Sequence, residues 1–183
     1  APCFECEHCK NKRYSLCENL EYLNGAYSEY VAVPAHILKY NFYYVPEHLP
    51  FEQAALLEPL ACAVHGSDRI PAKVGDTVAV IGAGPIGLMF MKLLSLKGCR
   101  VIAVDLSDYR LEQSEKFGVW KTVNASGEEH IKEVRDLCGG TGADVVVEAT
   151  GFPEVWENAV NMVRPGGTVL AFGGTKAGTS ITL

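Results

Sequence analysis

Four of the seven cysteines lie near the start of the chain, in the pattern C-x2-C-x2-C-x7-C. Three thiols at three-residue steps, with a fourth close behind, can surround a single metal ion, and zinc accepts four such ligands in a tetrahedron. A zinc ion with four protein ligands has no position left for water or substrate, so it would support the fold. We therefore expect a structural zinc bound by Cys3, Cys6, Cys9 and Cys17.

Two other interpretations of the cysteine run are less favourable. A disulfide framework joins distant segments, whereas these cysteines crowd around one point. A zinc ribbon that binds nucleic acid usually separates its two cysteine pairs, and 16 basic against 22 acidic residues give this chain a net charge of −6. An acidic chain is a poor partner for phosphate backbones, so we expect no nucleic-acid partner.

The composition is that of a globular protein, with 48% hydrophobic and 21% charged residues. No apolar run reaches the length of about 18 residues that indicates a transmembrane helix. The first residues also lack the basic and then apolar pattern of a signal peptide. We expect a cytoplasmic protein without a membrane partner.

The hydrophobic pattern changes near Pro71, where we place a boundary between residues 1–70 and 71–183. Beyond it, short apolar runs alternate with stretches of helical spacing. Buried strands are predicted at Val78–Ile81, Val101–Val104, Val145–Val147 and Thr168–Phe172, and helices at Ile86–Lys97 and Tyr109–Phe117. Such alternation predicts an α/β domain with a doubly wound parallel sheet. Before the boundary we predict a strand at Gly25–Val33, an extended segment at Ile37–Val45 and one helix at Phe51–His65.

A G-x-G-x-x-G motif directly follows the first of these strands and opens the first of these helices. In this context the first glycine permits a tight turn, the second lets a pyrophosphate approach the backbone, and the third lets helix and strand pack closely. The phosphates would meet the free N–H groups at the helix start. We expect the dinucleotide contacts to come from Gly82, Gly84, Pro85, Ile86 and Gly87.

Asp105 ends the next predicted strand, at the distance where an acid binds the ribose hydroxyls of a dinucleotide. Its carboxylate would repel a 2′-phosphate, so NAD is favoured over NADP. Arg110 could instead accommodate that phosphate, lie along the adenosine, or be a solvated helix charge. The later strand ends, Ala149–Gly151 and Phe172-Gly173-Gly174, would line the nicotinamide side, or their glycines would serve only the turns.

Four motifs occur in one order: the cysteine lobe, Gly25-Ala26-Tyr27-Ser28-Glu29-Tyr30, Glu58-Pro59-Leu60-Ala61 and the glycine motif. In this the chain resembles the zinc-dependent medium-chain dehydrogenases, and most of all their sorbitol (polyol) branch. The resemblance implies a GroES-like, β-rich catalytic domain joined to a Rossmann domain, with the active site between them. It also implies zinc-dependent hydride transfer from a polyol or secondary alcohol to NAD, in a homo-oligomer.

By this resemblance, Glu58 takes the position at which polyol dehydrogenases have a glutamate beside the catalytic zinc. Glu58 lies in the most apolar helix of the chain, and a buried carboxylate is costly unless it is paired or bound to metal. Pro59 would bend that helix and aim the glutamate into a cleft. The alternatives for Glu58 are an exposed position on the helix or pairing with a structural cation.

The family's first catalytic zinc ligands and its last Rossmann strand have no counterpart in the 183 residues. We therefore expect this sequence to be an internal part of a longer enzyme, inactive by itself. A threonine-type or other alcohol dehydrogenase of the same family remains an alternative. So does a non-catalytic, NAD-binding zinc module, if the chain is complete.

Overall fold

The computed structural model describes residues 1–181 of the chain. These residues divide into two compact units, Ala1–Ala54 and the part that begins at Ala55, which we call unit 1 and unit 2. This division falls earlier in the chain than the boundary predicted before Pro71. Among the described residues, no helix combines the length and the apolar character that crossing a membrane requires.

Unit 1 consists of short helices joined by turns and irregular segments. Helices α1, α2 and α3 span Glu7–Lys10, Ala35–Asn41 and Phe51–Ala54, and a 3₁₀ turn covers Tyr14–Leu16. Cys9 and Ile37 are the only buried hydrophobic residues among residues 1–54. The structure of this unit therefore depends little on a hydrophobic core.

Two predictions for unit 1 are wrong. Gly25–Val33 forms turns and irregular backbone, because a strand needs a neighbour to pair with and residues 1–54 contain none. Ile37–Val45 is helical as far as Asn41 and irregular only beyond it. The four-residue spacing of His36 and Tyr40 places their rings on one helical face, 5.1 Å apart.

Unit 2 is a five-stranded parallel sheet with helices on both faces. Strands β1 to β5 span Thr77–Ile81, Arg100–Asp105, Lys121–Asn124, Ala143–Glu148 and Val163–Ala171. Helices α4 to α8 span Leu57–Arg69, Pro85–Leu96, Asp108–Glu115, His130–Leu137 and Pro153–Met162. The strand order β3-β2-β1-β4-β5 confirms the doubly wound fold, and the chain reverses direction across the sheet between β1 and β4.

The core of unit 2 has two layers, one on each face of the sheet. Along β1, Val78 and Val80 face the side covered by α4, α5 and α6, whereas Ala79 and Ile81 face α7 and α8. Because successive side chains of a strand point to opposite faces, a strand buried on both sides must be apolar throughout. All five residues of β1 are buried, which explains the continuous apolar run in the sequence.

The helix predicted at Phe51–His65 is interrupted at Ala55 and Leu56, and the structure divides there. Helix α4 packs on α5 within unit 2 because Gly66 brings its backbone against the ring of Phe90. A Cβ atom at Gly66 would lie 2.8 Å from Cζ of Phe90.

The sequence interpretation missed three elements altogether, namely the short edge strand β3 and helices α7 and α8.

Candidate functional site

The glycine motif forms the connection between β1 and α5. Gly82 has a φ of +99°, a conformation that side chains with a Cβ rarely adopt. Its N–H donates to the carbonyl of Val104 at 2.8 Å, so the turn is tied to the end of β2. A Cβ here would also lie 2.8 Å from Cγ2 of Thr150, which follows β4. Glycine is therefore required at this position by both backbone and space.

The start of helix α5 is open to a ligand. Gly84 is the N-cap, and a Cβ at this position would have no heavy atom within 4 Å. Pro85 takes the first helical position, where its missing N–H costs nothing. Ile86 follows, and the N–H groups of such a first turn have no partner within the helix. The open cradle and these donors suit a pyrophosphate at the positive end of a 12-residue helix.

Gly87 serves close packing. A Cβ added to it would collide with the carbonyl oxygen of Gly82. The third glycine therefore lets α5 lie directly on the turn that precedes it, in the role predicted from the sequence.

Asp105 ends β2 beside this turn and is buried. One carboxylate oxygen accepts from the N–H of Ala83 at 2.7 Å, and the other accepts from the N–H of Ser107 at 2.9 Å. A carboxylate has about four acceptor positions, so capacity remains for ribose hydroxyls. Asp105 thus fixes the shape of the glycine turn and still offers acceptors at its edge.

Arg110 lies on α6 with its guanidinium 3.8 Å from the carboxylate of Asp105. Its side chain is 58% exposed, so this ion pair is screened by solvent and weak. The backbone N–H of Arg110 donates to the hydroxyl of Ser107, which caps the helix. The structure therefore places the exposed guanidinium of Arg110 at the rim of the Asp105 site.

The segment after β5 contributes mainly to packing. The ring of Phe172 meets that of Phe90 edge-on, with centroids 4.9 Å apart, in the core layer shared by α4 and α5. A Cβ at Gly173 would collide with the backbone nitrogen of Gly151, whereas one at Gly174 would meet nothing within 4 Å. The cofactor contacts expected of these three residues remain predictions, and only Gly174 has free space around it.

Glu148 was not singled out from the sequence, although it ends β4 and is completely buried. Its Oε1 accepts hydrogen bonds from the N–H and hydroxyl of Thr150 and from the N–H of Gly151. The available signal was an acid directly after the apolar run Val145–Val147. A charged residue that closes a buried strand in this way is rarely there by chance.

The four cysteines of unit 1 converge. Their sulfur atoms all lie within 4.8 Å of one another, and those of Cys3 and Cys9 are 3.9 Å apart. Zn–S bonds of ~2.3 Å in a tetrahedron require sulfur atoms about 3.8 Å apart, so the cluster has nearly the size that a metal ion needs. Within residues 1–181 this is the only group of three or more potential ligands close enough to share an ion.

Backbone N–H groups point at these sulfurs and favour thiolates. Hydrogen bonds from Glu5 and Cys6 lower the pKa of the Cys3 thiol to about 6. Burial raises the pKa of the Cys9 thiol to about 12, and neighbouring thiols add to that effect. Metal ligation requires deprotonated thiols, and the hydrogen bonds to Cys3 favour that form whereas the burial of Cys9 opposes it.

Glu58 lies in a different environment from the one predicted. It is exposed on the first turn of α4, where one carboxylate oxygen faces the Cys62 thiol at 3.4 Å, and Cys62 is exposed as well. The expected burial is wrong because this part of α4 leaves Leu57 and Leu60 exposed too. Glu58 belongs to no metal-binding cluster among the described residues, so its metal role remains a prediction.

Pro59 removes no hydrogen bond of α4, contrary to the prediction. It lies in the first turn of the helix, where backbone N–H groups have no partner within the helix. Its lack of an N–H therefore breaks no hydrogen bond within α4, which begins two residues earlier, at Leu57.

Comparison with known proteins places these features in one family. The sequence signature described as zinc-binding dehydrogenase matches residues 85–183. An erythritol/L-threitol dehydrogenase of Mycolicibacterium smegmatis is 35% identical over 94% of this chain and 49% of its own length. The sorbitol dehydrogenase of Bacillus subtilis is 31% identical over 93% of this chain and 49% of its own. The chain thus spans about half the length of the curated relatives it matches.

The solved structures agree. An alcohol dehydrogenase from Thermus sp. ATN1 is 32% identical with a TM-score of 0.86, over 100% of this chain and 56% of its own. A Sinorhizobium meliloti protein bound to NADP is 30% identical with a TM-score of 0.90, over 100% of this chain and 54% of its own. Together with the parallel sheet and its glycine turn, these matches show that the chain belongs to the zinc-binding dehydrogenase family and resembles its polyol dehydrogenases.

Proposed function

We propose that the intact protein is a zinc- and NAD-dependent dehydrogenase that oxidises a polyol or secondary alcohol to a ketose or ketone. The observation that carries this proposal is the preformed glycine turn with Asp105 beside it. The turn follows β1, where the chain stops adding strands on one side of the sheet and continues with β4 on the other. The erythritol/L-threitol and sorbitol dehydrogenases among the relatives support a polyol substrate.

The cofactor would lie across the carboxyl ends of the strands. Its adenosine ribose would bind at Asp105 on β2, and its pyrophosphate at Gly84 and the start of α5. The nicotinamide half then extends over the crevice between β1 and β4, where ligands bind in open α/β sheets. The turns that follow β4 and β5 would form the floor of that half.

NAD is the cofactor we favour, because the buried carboxylate of Asp105 would be placed against any 2′-phosphate. The relative from Sinorhizobium meliloti was determined with NADP, so relatives at this level of identity include an NADP binder. Arg110, exposed and 3.8 Å from Asp105, is the one nearby cation in the described site that could neutralise such a phosphate. The preference therefore depends on the balance between these two charges.

The four-cysteine cluster fits a structural zinc, because its sulfur atoms already lie at nearly tetrahedral separation. Glu58 would hold or tune a second, catalytic zinc together with ligands from other parts of the intact protein. Such an ion supplies Lewis-acid polarisation of the substrate hydroxyl. Glu58 is exposed and available for that role, since the one side-chain hydrogen bond that it makes within residues 1–181 is with the Cys62 thiol.

Titration of the intact protein with NAD and NADP tests the cofactor assignment. The variant Asp105→Asn keeps the size of the side chain and loses the charge, together with one of the two hydrogen bonds from backbone N–H groups. Because the lost hydrogen bond affects both cofactors alike, we expect the preference for NAD to fall about tenfold, as loss of roughly 1.4 kcal/mol of discrimination would give. Glu112→Gln makes the same chemical change on the exposed surface of α6 and should alter the preference less than about twofold. An unchanged preference in Asp105→Asn would refute the selector role.

A threonine-type activity is the second candidate, because an L-threonine 3-dehydrogenase from Alteromonas mediterranea is 33% identical over 93% of this chain and 50% of its own. A panel of sorbitol, xylitol, erythritol, threitol and threonine, with NADH formation followed by absorbance, separates the two. Turnover of threonine alone would reject the polyol proposal. Dinucleotide binding without turnover of any alcohol would favour a non-catalytic module.

A further inference from the structure

The carboxylate of Glu148 is the buried charged group for which the proposed reaction has no use. It ends the interior strand β4 and has no solvent exposure. Burying a carboxylate is unfavourable unless hydrogen bonds compensate for the lost water. The position of Glu148 therefore needs a physical explanation beyond the closure of a strand.

One oxygen of this carboxylate holds the turn after β4. Oε1 accepts from the backbone N–H of Thr150 at 2.6 Å, from its hydroxyl at 2.5 Å and from the N–H of Gly151 at 2.8 Å. Three donors on one charged acceptor fix the backbone of residues 149–151 more firmly than neutral hydrogen bonds would. Glu148 thus determines the path of this turn.

The other oxygen lies against the segment after β5. Oε2 makes no hydrogen bond with protein groups among the described residues, and a Cβ at Gly173 would lie 2.6 Å from it. The backbone carbonyl of the same Glu148 accepts from the N–H groups of Phe172 and Gly173 at 2.9 and 3.0 Å. One residue is therefore in contact with both turns at this edge of the sheet.

These turns lie beside the glycine motif. Glu148 pairs in register with Ile81 of β1 and with Ala171 of β5, so it occupies the centre of three adjacent strand ends. Thr150 approaches Gly82, and Gly151 lies so close to Gly174 that a Cβ would come within 2.6 Å of the Gly174 carbonyl. Asp105 is on the far side of β1, at the end of β2.

We propose that Glu148 is a positioning residue that fixes the backbone of the turns at 149–151 and 172–174. It would thereby shape the surface on which the nicotinamide half of the dinucleotide lies. The inference rests on the proposed dinucleotide function. It predicts a selective effect, because the adenosine half would bind at Asp105, away from these turns. A buried carboxylate that served only stability would affect both halves equally.

The test compares the affinity for NAD with the affinity for AMP, which carries only the adenosine half, in the intact protein. In Glu148→Ala the Kd for NAD should rise at least about tenfold, which corresponds to one lost charged hydrogen bond. The Kd for AMP should change less than about twofold. Glu148→Gln keeps an acceptor oxygen for the three donors and should restore the NAD affinity to within about threefold of wild type.

A second pair of variants covers the case in which Glu148→Ala fails to fold. Thr150→Val removes the hydroxyl that donates to Glu148 and keeps the volume, whereas Thr150→Ser keeps the hydroxyl. We expect the first to weaken NAD binding about fivefold with AMP unchanged, and the second to bind NAD like wild type within about twofold.

The outcomes separate the two proposals. Equal weakening of NAD and AMP, unchanged NAD affinity in Glu148→Ala or Thr150→Val, or a Glu148→Gln variant as weak as Glu148→Ala would overturn the positioning role. If the wild-type protein binds both AMP and NAD in those same experiments, the proposed dinucleotide function stands even when the positioning role of Glu148 is overturned. A wild type that binds neither ligand would overturn both.

Discussion

The two units of this chain are stabilised by different means. Unit 2 buries β-branched and aliphatic residues in two layers against a parallel sheet, whereas unit 1 has two buried hydrophobic residues in its 54. Unit 1 also exposes many large apolar side chains, among them Tyr27, Tyr30 and Tyr44. What the small unit has instead is a cluster of four thiols.

This difference shows two routes to a fixed backbone. A sheet gains stability from apolar area removed from water, and each strand contributes to a shared core. A short segment without enough core residues needs a cross-link, and a metal ion gives one. The predictions below test whether the two units really depend on these separate sources.

Removal of the proposed zinc should have the largest effect. With a strong chelator, or in Cys9→Ser, residues 1–54 should lose protection from hydrogen exchange, since the thiols alone cannot replace the metal bonds. Strands β1, β2 and β4 should keep their protection. Hydrogen exchange with mass spectrometry measures both in one sample, and Cys62→Ser, an exposed cysteine outside the cluster, is the control. Loss of protection in both units at once would contradict the separation.

A methyl group at Gly87 should break the other unit. Gly87→Ala forces a Cβ into the carbonyl of Gly82, and we expect about 3 kcal/mol or more of destabilisation of unit 2. Gly84→Ala is the matched control for stability, because its Cβ meets nothing within 4 Å, and it should change the unfolding free energy by less than about 0.5 kcal/mol. Gly84→Ala should nevertheless weaken dinucleotide binding, because its methyl group occupies the place of the pyrophosphate. Denaturant melts measure the stability of the two variants, and NAD titration measures their binding. Equal stabilities of Gly87→Ala and Gly84→Ala would show that the backbone at Gly82 moves away from the added methyl group at little cost.

An ion pair near the amino ends of β4 and β5 should make the free energy of unfolding of unit 2 modestly dependent on pH. Arg164 donates to Asp144 at 2.7 Å and lowers the pKa of that carboxyl below its ordinary 3.8, with help from the N–H of Thr77. A lowered pKa stabilises the fold above the ordinary value, and that contribution is lost as the pH falls through the folded value.

Asp144→Asn should therefore cost about 1 kcal/mol at pH 7, and the difference from wild type should shrink below about pH 4, because the pair is partly exposed. Asp136→Asn, whose partner Lys132 is far more exposed, should show no measurable change at either pH. Unfolding free energies from urea titrations at several pH values provide the measurement. A difference that is constant with pH would mean that the charge of Asp144 is irrelevant to stability.

The smallest expected effect returns to unit 1. Lys12 has a φ of +59°, a left-handed conformation that costs roughly 1 kcal/mol for a residue with a Cβ. Lys12→Gly should relieve this strain, partly offset by chain entropy, and raise the apparent metal affinity about twofold. Lys10→Gly, which places glycine at the end of α1, should lower it by a similar factor. Competition with a metal-binding dye measures both, and effects of the same sign would show that backbone conformation at residue 12 is not strained.

Local patterns predicted most of the sheet and its glycine turn well for a physical reason. Gly82 is required by a positive φ and a close contact with Thr150, and Gly87 by its contact with the Gly82 carbonyl, and such constraints leave no substitute residue. The apolar runs of β1 and β4 follow from burial on both faces of a parallel sheet. The four cysteines were equally readable, because their spacing alone brings the sulfurs together.

The failures share a different cause. The strand expected at Gly25–Val33 and the burial expected of Glu58 depended on surroundings that a local pattern does not contain. An alternating segment becomes a strand only with a partner, and an apolar helix is buried only where another element covers it. Pro59 was misjudged because its effect depends on its position within the helix, and α4 begins two residues before it.

The sequence by itself determined strands β1, β2, β4 and β5 and helices α5 and α6 of unit 2, the glycine turn with its acid at the end of the next strand, and the thiol cluster, because each depends on short-range spacing. Only the tertiary structure decided which turns at the carboxyl ends of the strands contact one another. It brought Thr150 against Gly82, Gly151 against Gly174, and the carboxylate of Glu148 between them. The order of strands in a sheet sets these contacts, and that order results from long-range packing.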